Sequence, residues 1–507
     1  MRPSRARIAI IGGGPGGYEA ALVAAQLGAE VTLAERDGLG GACVLTDCVP
    51  SKTLIETSST VTVLNGSADL GIRVGDGAGA AGDGRRPLVD ATRLHGRIKA
   101  LAWAQSADVA ARVAAEGVEV VDGTACLVGP GKVRVGSRDI TADAVLIAVG
   151  AHPRVLPDSV PDGERILNWR QLYDLPEIPE ELIVVGSGVT GAEFASAYQS
   201  LGSQVTLVSS RERVLPHEDV DAAVVIEEVF RRRGMTVLGR SRAAAAKRHG
   251  DRVVVTLTDG RVVRGSHCLL TVGMEPSIGG LGCEDAGVKL DDRGFVTVDR
   301  VSRTSTPSVY AAGDCTGLLM LASVAAMQGR IAMWHALGEA VHPIRLSHVA
   351  ATIFTDPEIA TVGVTASAAE SGKRRGPGHG GQASAGRQPA RQDGRDQGRF
   401  RQAVRAAGHL GRAGRRRRRP PRQRAHPAGV DRGRAAAHGG SARADVHRLP
   451  LTVRQRGRGG PQAHALQPRR RLSRWPRSRL RTATEAGYGQ ASVTGLTHRA
   501  SGPVSGR

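Results

Sequence analysis

The chain has 507 residues, room for about three domains, and a net charge of +21 that is spread unevenly. Residues 371–507 hold 33 Lys+Arg against 5 Asp+Glu, a net of +28, so residues 1–370 hold 36 against 43, a net of −7. Basicity confined to the tail excludes nucleic-acid binding as the role of the whole chain, the lack of a run of about 18 uncharged apolar residues excludes a transmembrane helix, and six cysteines in so long a chain exclude a disulfide scaffold.

Arg7–Ile11 reads as a first β-strand. Arg2, Arg5 and Arg7 ahead of it imitate a signal peptide. The apolar run is short, however, and leads straight into glycines without a cleavage-like site, so a cytoplasmic location is expected. Gly12–Gly17 is a glycine turn, Tyr18–Leu27 has helical spacing, and Val31–Ala34 is a second strand. This βαβ opening implies a parallel sheet. Ala68–Gly84 reads as a Gly/Ala/Asp loop, and His95–Glu116 as a helix pair or one long helix. Val118–Val121, Val133–Val135 and Ala144–Ile147 are strands.

The opening order then repeats. Leu182–Val185 is a strand, Gly186–Gly191 a glycine turn, Ala192–Leu201 a helix and Val205–Val208 a strand. Gly12 lies 23 residues before Glu35, and Gly186 lies 23 residues before Ser209. Val253–Leu257 and Val262–Val263 form a hairpin around Thr258-Asp259-Gly260. Val309–Ala311 is a strand ending at Gly313-Asp314, and Ala322–Leu337 is a helix. From about residue 371 the periodicity stops, and five arginines stand in a row at Arg415–Arg419. Such a run buries too little apolar surface to offset its chain entropy.

Gly12, Gly14 and Gly17 form G-x-G-x-x-G between a strand and a helix. In that pattern the first glycine allows the tight turn, the second admits a pyrophosphate and the third lets helix and strand pack. The helix N-terminus offers free N–H groups to phosphate, and Glu35 can accept from ribose hydroxyls. Gly186, Gly188 and Gly191 repeat the pattern, but Ser209, Ser210 and Arg211 stand where a ribose-binding acid is expected. Hydroxyls beside Arg211 and Arg213 suit a 2′-phosphate, or else these arginines are solvated loop charges. Cys43 and Cys48 lie five residues apart, with Lys52 one turn further on. Spacing alone fits two buried thiols as well as a redox pair. Cys126, Cys268, Cys283 and Cys315 lack metal-ligand spacing and read as core thiols; no metal is expected. Trp103, Trp169 and Trp334 read as packing residues.

Residues 6–370 resemble the flavoprotein disulfide reductases, which include dihydrolipoamide dehydrogenase, glutathione reductase and mercuric reductase. The resemblance rests on both glycine fingerprints and on Cys43-Val44-Leu45-Thr46-Asp47-Cys48-Val49-Pro50-Ser51-Lys52. It also rests on the links Ala148-Val149-Gly150 and Thr271-Val272-Gly273 and on Thr306–Asp314. It implies an α/β fold with two Rossmann-like dinucleotide-binding domains and a C-terminal α+β dimerisation domain. The expected divisions are 1–150 (FAD domain, first part), 151–275 (NAD(P) domain), 276–343 (return to the FAD domain) and 344–370 (start of the dimer domain). By the same resemblance Glu35 binds the adenosine ribose of FAD, Asp314 the ribityl chain, and Ala125 the adenine side. Gly150 and Gly273 sit in the interdomain links. Lys52 and Glu193 pair beside the flavin N5, Cys43 meets a disulfide substrate, and Cys48 lies against the flavin. NADH or NADPH is the reductant, and a homodimer is the family's assembly.

The resemblance ends near residue 370. Codons for Arg391–Arg399 and for Val446–Arg456, read one nucleotide later, can both encode stretches typical of the family's last domain. Residues 371–507 therefore fit a frame offset, the alternative being a genuine basic, disordered tail. In the restored frame, the codon drawn from Leu449 and Pro450 cannot encode the family's acid/base His. The codon ending in Gln455 cannot encode its partner Glu. Three readings follow: an NAD(P)H oxidoreductase passing electrons to a quinone-like small molecule; a dithiol/disulfide enzyme of the dihydrolipoamide dehydrogenase type; and an inactive product without a working dimer domain.

Overall fold

The computed structural model describes residues 5–67, 71–72 and 89–363. The expected loop 68–84 lies almost wholly outside these residues, as does the basic run 371–507. In chain order the first part runs β1 (Arg7–Ile11), α1 (Pro15–Gln26), β2 (Glu30–Glu35), α2 (Gly41–Leu45), α3 (Cys48–Asn65), α4 (Ala91–Ala115) and β3 (Glu119–Asp122). It continues with β4 (Ala125–Gly129), β5 (Lys132–Val135), β6 (Arg138–Thr141) and β7 (Ala144–Ile147). The second part runs β8 (Ala151–Pro153), β9 (Ile166–Asn168), β10 (Glu181–Val185), α5 (Val189–Leu201), β11 (Gln204–Val208), α6 (Val220–Arg232) and β12 (Thr236–Leu238). It closes with β13 (Ala243–His249), β14 (Arg252–Leu257), β15 (Val262–Gly265), β16 (His267–Leu270) and β17 (Met274–Pro276). Then come β18 (Val309–Ala311), α7 (Ala322–Ala336), β19 (Ala351–Ile353) and β20 (Ile359–Thr361).

Two five-stranded parallel sheets result, in the orders β18-β7-β1-β2-β3 and β12-β11-β10-β16-β9. Each is a doubly wound sheet with its strand order reversing beside the glycine turn, the place where such sheets bind ligands. The apolar runs explain the layers. Ile8 and Ile10 face one core and Ala9 and Ile11 the other. Leu182 and Val184 split from Ile183 and Val185 in the same way. A strand apolar at every position is the mark of a sheet covered on both faces.

Differences from the sequence reading are local. Helix α1 starts at Pro15, not Tyr18, because Gly14 is the N-cap and proline fits the first helical turn. Likewise α5 starts at Val189, capped by Gly188. The segment from residue 91 to 115 is one helix, with the Asp90 side chain accepting from Arg93 N. Strands β4, β6 and β13 have no counterpart in the reading. In β6 and β13 the strand is built of Arg, Asp, Ala and Lys, which hide a period of two, and β4 is a short apolar run ended by Gly129. A ribbon of β8 and β17 carries the chain between the two sheets, right after Gly150 and Gly273. Trp103 is 59% exposed and not a packing residue; it sits on the outer side of α4. Cys126 is only partly buried, unlike Cys268, Cys283 and Cys315.

Candidate functional site

Both glycine turns have the geometry of a phosphate cradle. Gly12 (φ +101°) and Gly186 (φ +113°) adopt the backbone region that glycine favours. A Cβ on Gly12 would stand 2.4 Å from Ala148 O, and one on Gly186 would stand 2.2 Å from Thr271 O. A Cβ on Gly17 would meet Gly12 O at 1.8 Å, and one on Gly191 would meet Gly186 O at 2.0 Å. Gly14 and Gly188 face open space instead. The first and third glycines are thus required by protein packing. The second leaves room for a pyrophosphate at the helix start. This is the fit that an FAD-type dinucleotide and a second nucleotide need.

At the end of β2, a Glu35 carboxylate oxygen accepts from Gly13 N, and the other accepts from Arg36 N and Asp37 N. Gly123 N donates to Glu35 O, which brings the start of β4, with buried Ala125, beside that strand end. Asp314 follows β18 in a short helical turn. Burial, with Asp47 nearby, raises its carboxyl to about 6.

The second strand end differs from the sequence reading. Ser209 is fully buried, and its hydroxyl is engaged by Ser187 at 2.7 Å and by Arg211 O at 3.0 Å. It therefore braces the glycine loop and is not free to meet a phosphate. Ser210 and Arg211 are exposed. Arg240 reaches Glu212 at 3.0 Å, a guanidinium the sequence did not bring to this edge.

Cys43 lies in α2, and Cys48 is the first residue of α3. The interaction between the two sulfurs, with burial, holds the Cys43 thiol up, and the same interaction lowers Cys48. Lys52, one turn on, lowers Cys48 further, and a helix start favours a thiolate. Of the two, Cys48 is the thiol pulled toward the thiolate.

Lys52 Nζ lies 2.8 Å from Glu193 Oε2, whose side chain is only 5% exposed. The pair joins α3 to α5 and hence one nucleotide-type fold to the other. The other Glu193 oxygen accepts from Phe354 N at 2.9 Å, and the Phe354 ring lies 4.8 Å from Lys52 Nζ. Phe354 has no role in the sequence reading, which gives 344–370 only as the start of a further domain. Asp47 was missed too. It caps the approach to α3 and accepts from Trp169 Nε1, while burial raises its carboxyl.

Glu19 is the third residue the sequence reading passed over. It stands two residues after Gly17, as Glu193 stands two residues after Gly191. It is buried, and it takes both Nε (2.9 Å) and Nη2 (2.6 Å) of Arg330 on α7. Among the described residues no cluster of His, Cys, Asp and Glu could hold a metal ion, and no helix is long and apolar enough to cross a membrane.

Two glycine cradles on two doubly wound sheets, with a cysteine pair at their junction, define an oxidoreductase of nucleotide-dependent type. The family model for pyridine nucleotide-disulphide oxidoreductases matches residues 6–329, and the chain belongs to that family. It is 53% identical over 380 residues to a protein named NAD(P)H dehydrogenase (quinone) from Mycobacterium tuberculosis, covering 72% of this chain and 76% of that one. It is 35% identical over 376 residues to a dihydrolipoyl dehydrogenase of Bacillus subtilis, covering 72% and 78%. The crystal structure of LpdA from M. tuberculosis superposes with a TM-score of 0.67 at 52% identity, over 72% of this chain and 80% of that one. The flavoprotein disulfide reductase RclA of Escherichia coli, as its Cu(II) complex, gives 0.63 at 26% identity, over 72% and 79%.

Proposed function

We propose that the chain takes a hydride from NADH or NADPH through bound FAD and delivers electrons to a quinone-like small molecule. The first fold (1–150 and 276–343) would hold FAD and the second (151–275) the nicotinamide nucleotide. Gly12, Gly14 and Gly17 would hold the FAD pyrophosphate, Glu35 its ribose, Asp314 its ribityl chain and Ala125 its adenine side. Gly186, Gly188 and Gly191 would hold the second pyrophosphate, with Ser210 and Arg211 at the adenosine end. Bound FAD supplies a two-electron centre between a hydride donor and an acceptor.

This chain's residues then have distinct tasks. Lys52, fixed by Glu193, keeps a cation at the junction of the folds. That cation also favours the Cys48 thiolate. Phe354 and Glu193 close the junction from the side of residues 351–361. A disulfide substrate needs a general acid to protonate the departing thiolate. Among the described residues, no histidine side chain hydrogen-bonds to Cys43 or Cys48. In the restored frame of the last domain, the codons at Leu449–Pro450 and ending in Gln455 cannot encode the family's acid/base His and Glu; that carries the quinone reading over the disulfide one, and the 53% identical relative supports it. The second reading, a dihydrolipoyl dehydrogenase-type reaction, is favoured by the adjacent Cys43 and Cys48 sulfurs. A family homodimer would need residues after 363, which lie outside the described ones. A cytoplasmic location is part of this proposal.

The test is turnover of NADH and NADPH by FAD-loaded protein against a benzoquinone, lipoamide and glutathione disulfide. Quinone turnover surviving in Cys43→Ser is expected. Lipoamide turnover that exceeds quinone turnover and disappears in Cys43→Ser would overturn the proposal. Protein that takes up no yellow chromophore would overturn it outright.

A further inference from the structure

The carboxyl edges of the two parallel sheets match in register and differ in charge. Ala34 pairs with Val121 on β2 and β3, as Val208 pairs with Leu238 on β11 and β12. Beyond those pairs, residues 35–39 and 122–126 hold three acids and one arginine, a net of −2. The matching residues 209–213 and 239–243 hold one acid and four arginines, a net of +3. An acidic edge accepts from ribose hydroxyls, whereas guanidinium groups recognise phosphate oxygens.

The basic edge is firmly tied. Arg240 N donates to Arg211 O at 2.7 Å, Ser241 N to Ser209 O at 2.7 Å, and Ser209 N to Leu238 O at 2.9 Å. These bonds set residues 211 and 240 side by side. They hold Arg240 in the left-handed region, φ +51°, which an arginine seldom adopts and which is a reason to look for a task. Leu215 N donates to Ser187 O at 2.8 Å, so the same loop is fastened to the second glycine turn. The edge lies one strand from Gly186, at the carboxyl ends where doubly wound sheets take ligands.

The guanidinium groups differ in availability. Arg261, on the neighbouring hairpin, is committed to Asp259 at 2.6 Å and to Ser241 Oγ at 2.7 Å. Among the described residues, Arg240 pairs with Glu212 alone, at 3.0 Å, and both side chains are more than half exposed. An ion pair in water is worth little and exchanges its partner readily. Arg211 is exposed and makes no ion pair among the described residues.

We infer that Arg240, beside Arg211, makes NADPH the preferred reductant by taking the 2′-phosphate of its adenosine, and that Glu212 is the counter-ion this phosphate displaces. The inference rests on the reading of residues 151–275 as the nicotinamide-nucleotide fold, and adds which nucleotide it takes and which residue selects it. Arg240 is a specificity residue. Ser209 takes no part, because its hydroxyl is turned to Ser187. Glu212 acts in the opposite sense, since its carboxylate repels a phosphate and competes with it for Arg240.

The experiment titrates FAD-loaded full-length protein calorimetrically with 2′,5′-ADP and with 5′-AMP, adenosine ligands that differ by the 2′-phosphate. The natural protein is expected to bind 2′,5′-ADP about tenfold to hundredfold tighter, the scale of charge-assisted contacts to one phosphate. Arg240→Ala should cut that preference about tenfold. Arg240→Lys should cut it about threefold, because an ammonium lacks the planar fork. Glu212→Gln should raise it about threefold. The NADPH-to-NADH ratio of kcat/KM should move in the same order. Equal binding of the two ligands, or a preference unmoved in Arg240→Ala, would overturn the inference and leave the reading of the fold standing. A preference lowered in Glu212→Gln would overturn the displacement. Binding of neither ligand, with the flavin left oxidised by both NADH and NADPH, would remove the reading of the second fold and the inference with it.

Discussion

The two glycine units of this chain share a backbone and differ in what their side chains are asked to do. Each has a first glycine pressed on a carbonyl across the strand reversal, an open second glycine and a third that lets the helix approach. Each helix also carries a buried glutamate two residues after the third glycine. Glu19 is spent on Arg330 and ties α1 to α7 within one fold. Glu193 is spent on Lys52 and Phe354 and ties two folds together at the cysteine pair. The same motif position thus serves cohesion in one unit and the working junction in the other. A fingerprint locates a nucleotide, whereas the partner of the buried acid tells what the unit does.

Substitutions that treat the two units alike sharpen this contrast. The largest effect is expected from Gly17→Ala and Gly191→Ala, each placing a Cβ about 2 Å from a carbonyl oxygen. Each should cost about 3 kcal/mol or more in urea unfolding, and Gly17→Ala alone should abolish the yellow chromophore. Equal loss of flavin in both variants would break the assignment of the two folds. Next, Glu193→Gln should cost about 2 kcal/mol and Glu19→Gln about 1 kcal/mol. The difference arises because both Arg330 nitrogens bond one Glu19 oxygen, which an amide retains, whereas Glu193 uses both oxygens and its amide nitrogen would face Lys52 or Phe354 N. The reverse order would break the contrast.

The two folds also respond oppositely to acid. On β16, burial with Arg165 nearby lowers His267 to about 4, against 6.5 when free. The unfolded chain therefore binds the proton first. This stability is whole above pH 6.5 and is lost as pH falls towards 4, on the order of 2 kcal/mol. Asp314 has the opposite sign. Its carboxyl, raised from 3.8 to about 6, costs stability as pH rises through that window. In urea midpoints at pH 4 to 7, His267→Gln should flatten the acid loss and Asp314→Asn should steepen it. Parallel profiles would refute both assignments. A smaller effect is expected from Lys52→Met, which should raise the Cys48 pKa, read from alkylation rates against pH. Smallest is Arg211→Ala, expected to weaken NADPH against NADH by about threefold to tenfold in KM. An unchanged ratio would make Arg211 a solvated loop charge.

Much of this was legible in the sequence where one residue type has one physical use. The glycines, the apolar strands β1 and β10 and the Cys43–Lys52 segment all carry their structure locally. Helix starts were misjudged because Pro15 and Val189 do not advertise a cap when the cap is a glycine. Strand β13 was hidden because its Ala, Lys and Arg side chains do not mark a buried face. Ser209 was misread since a hydroxyl gives no sign of which way it points, and here Ser187 turns it inward. Glu19 and Phe354 were beyond local reasoning. Their meaning depends on Arg330 and Glu193, contacts made across the chain.

The Glu193 carboxylate gathers residues 52, 193 and 354, three points scattered over the first 70% of the polypeptide. During synthesis, its second oxygen has no donor until residue 354 has emerged. Any shortened version made for crystallisation or assay should therefore stop beyond residue 363 and not at the end of α7. A cut at residue 340 would leave a desolvated anion half satisfied in the seam, and the seam would be the first part of the molecule to come undone.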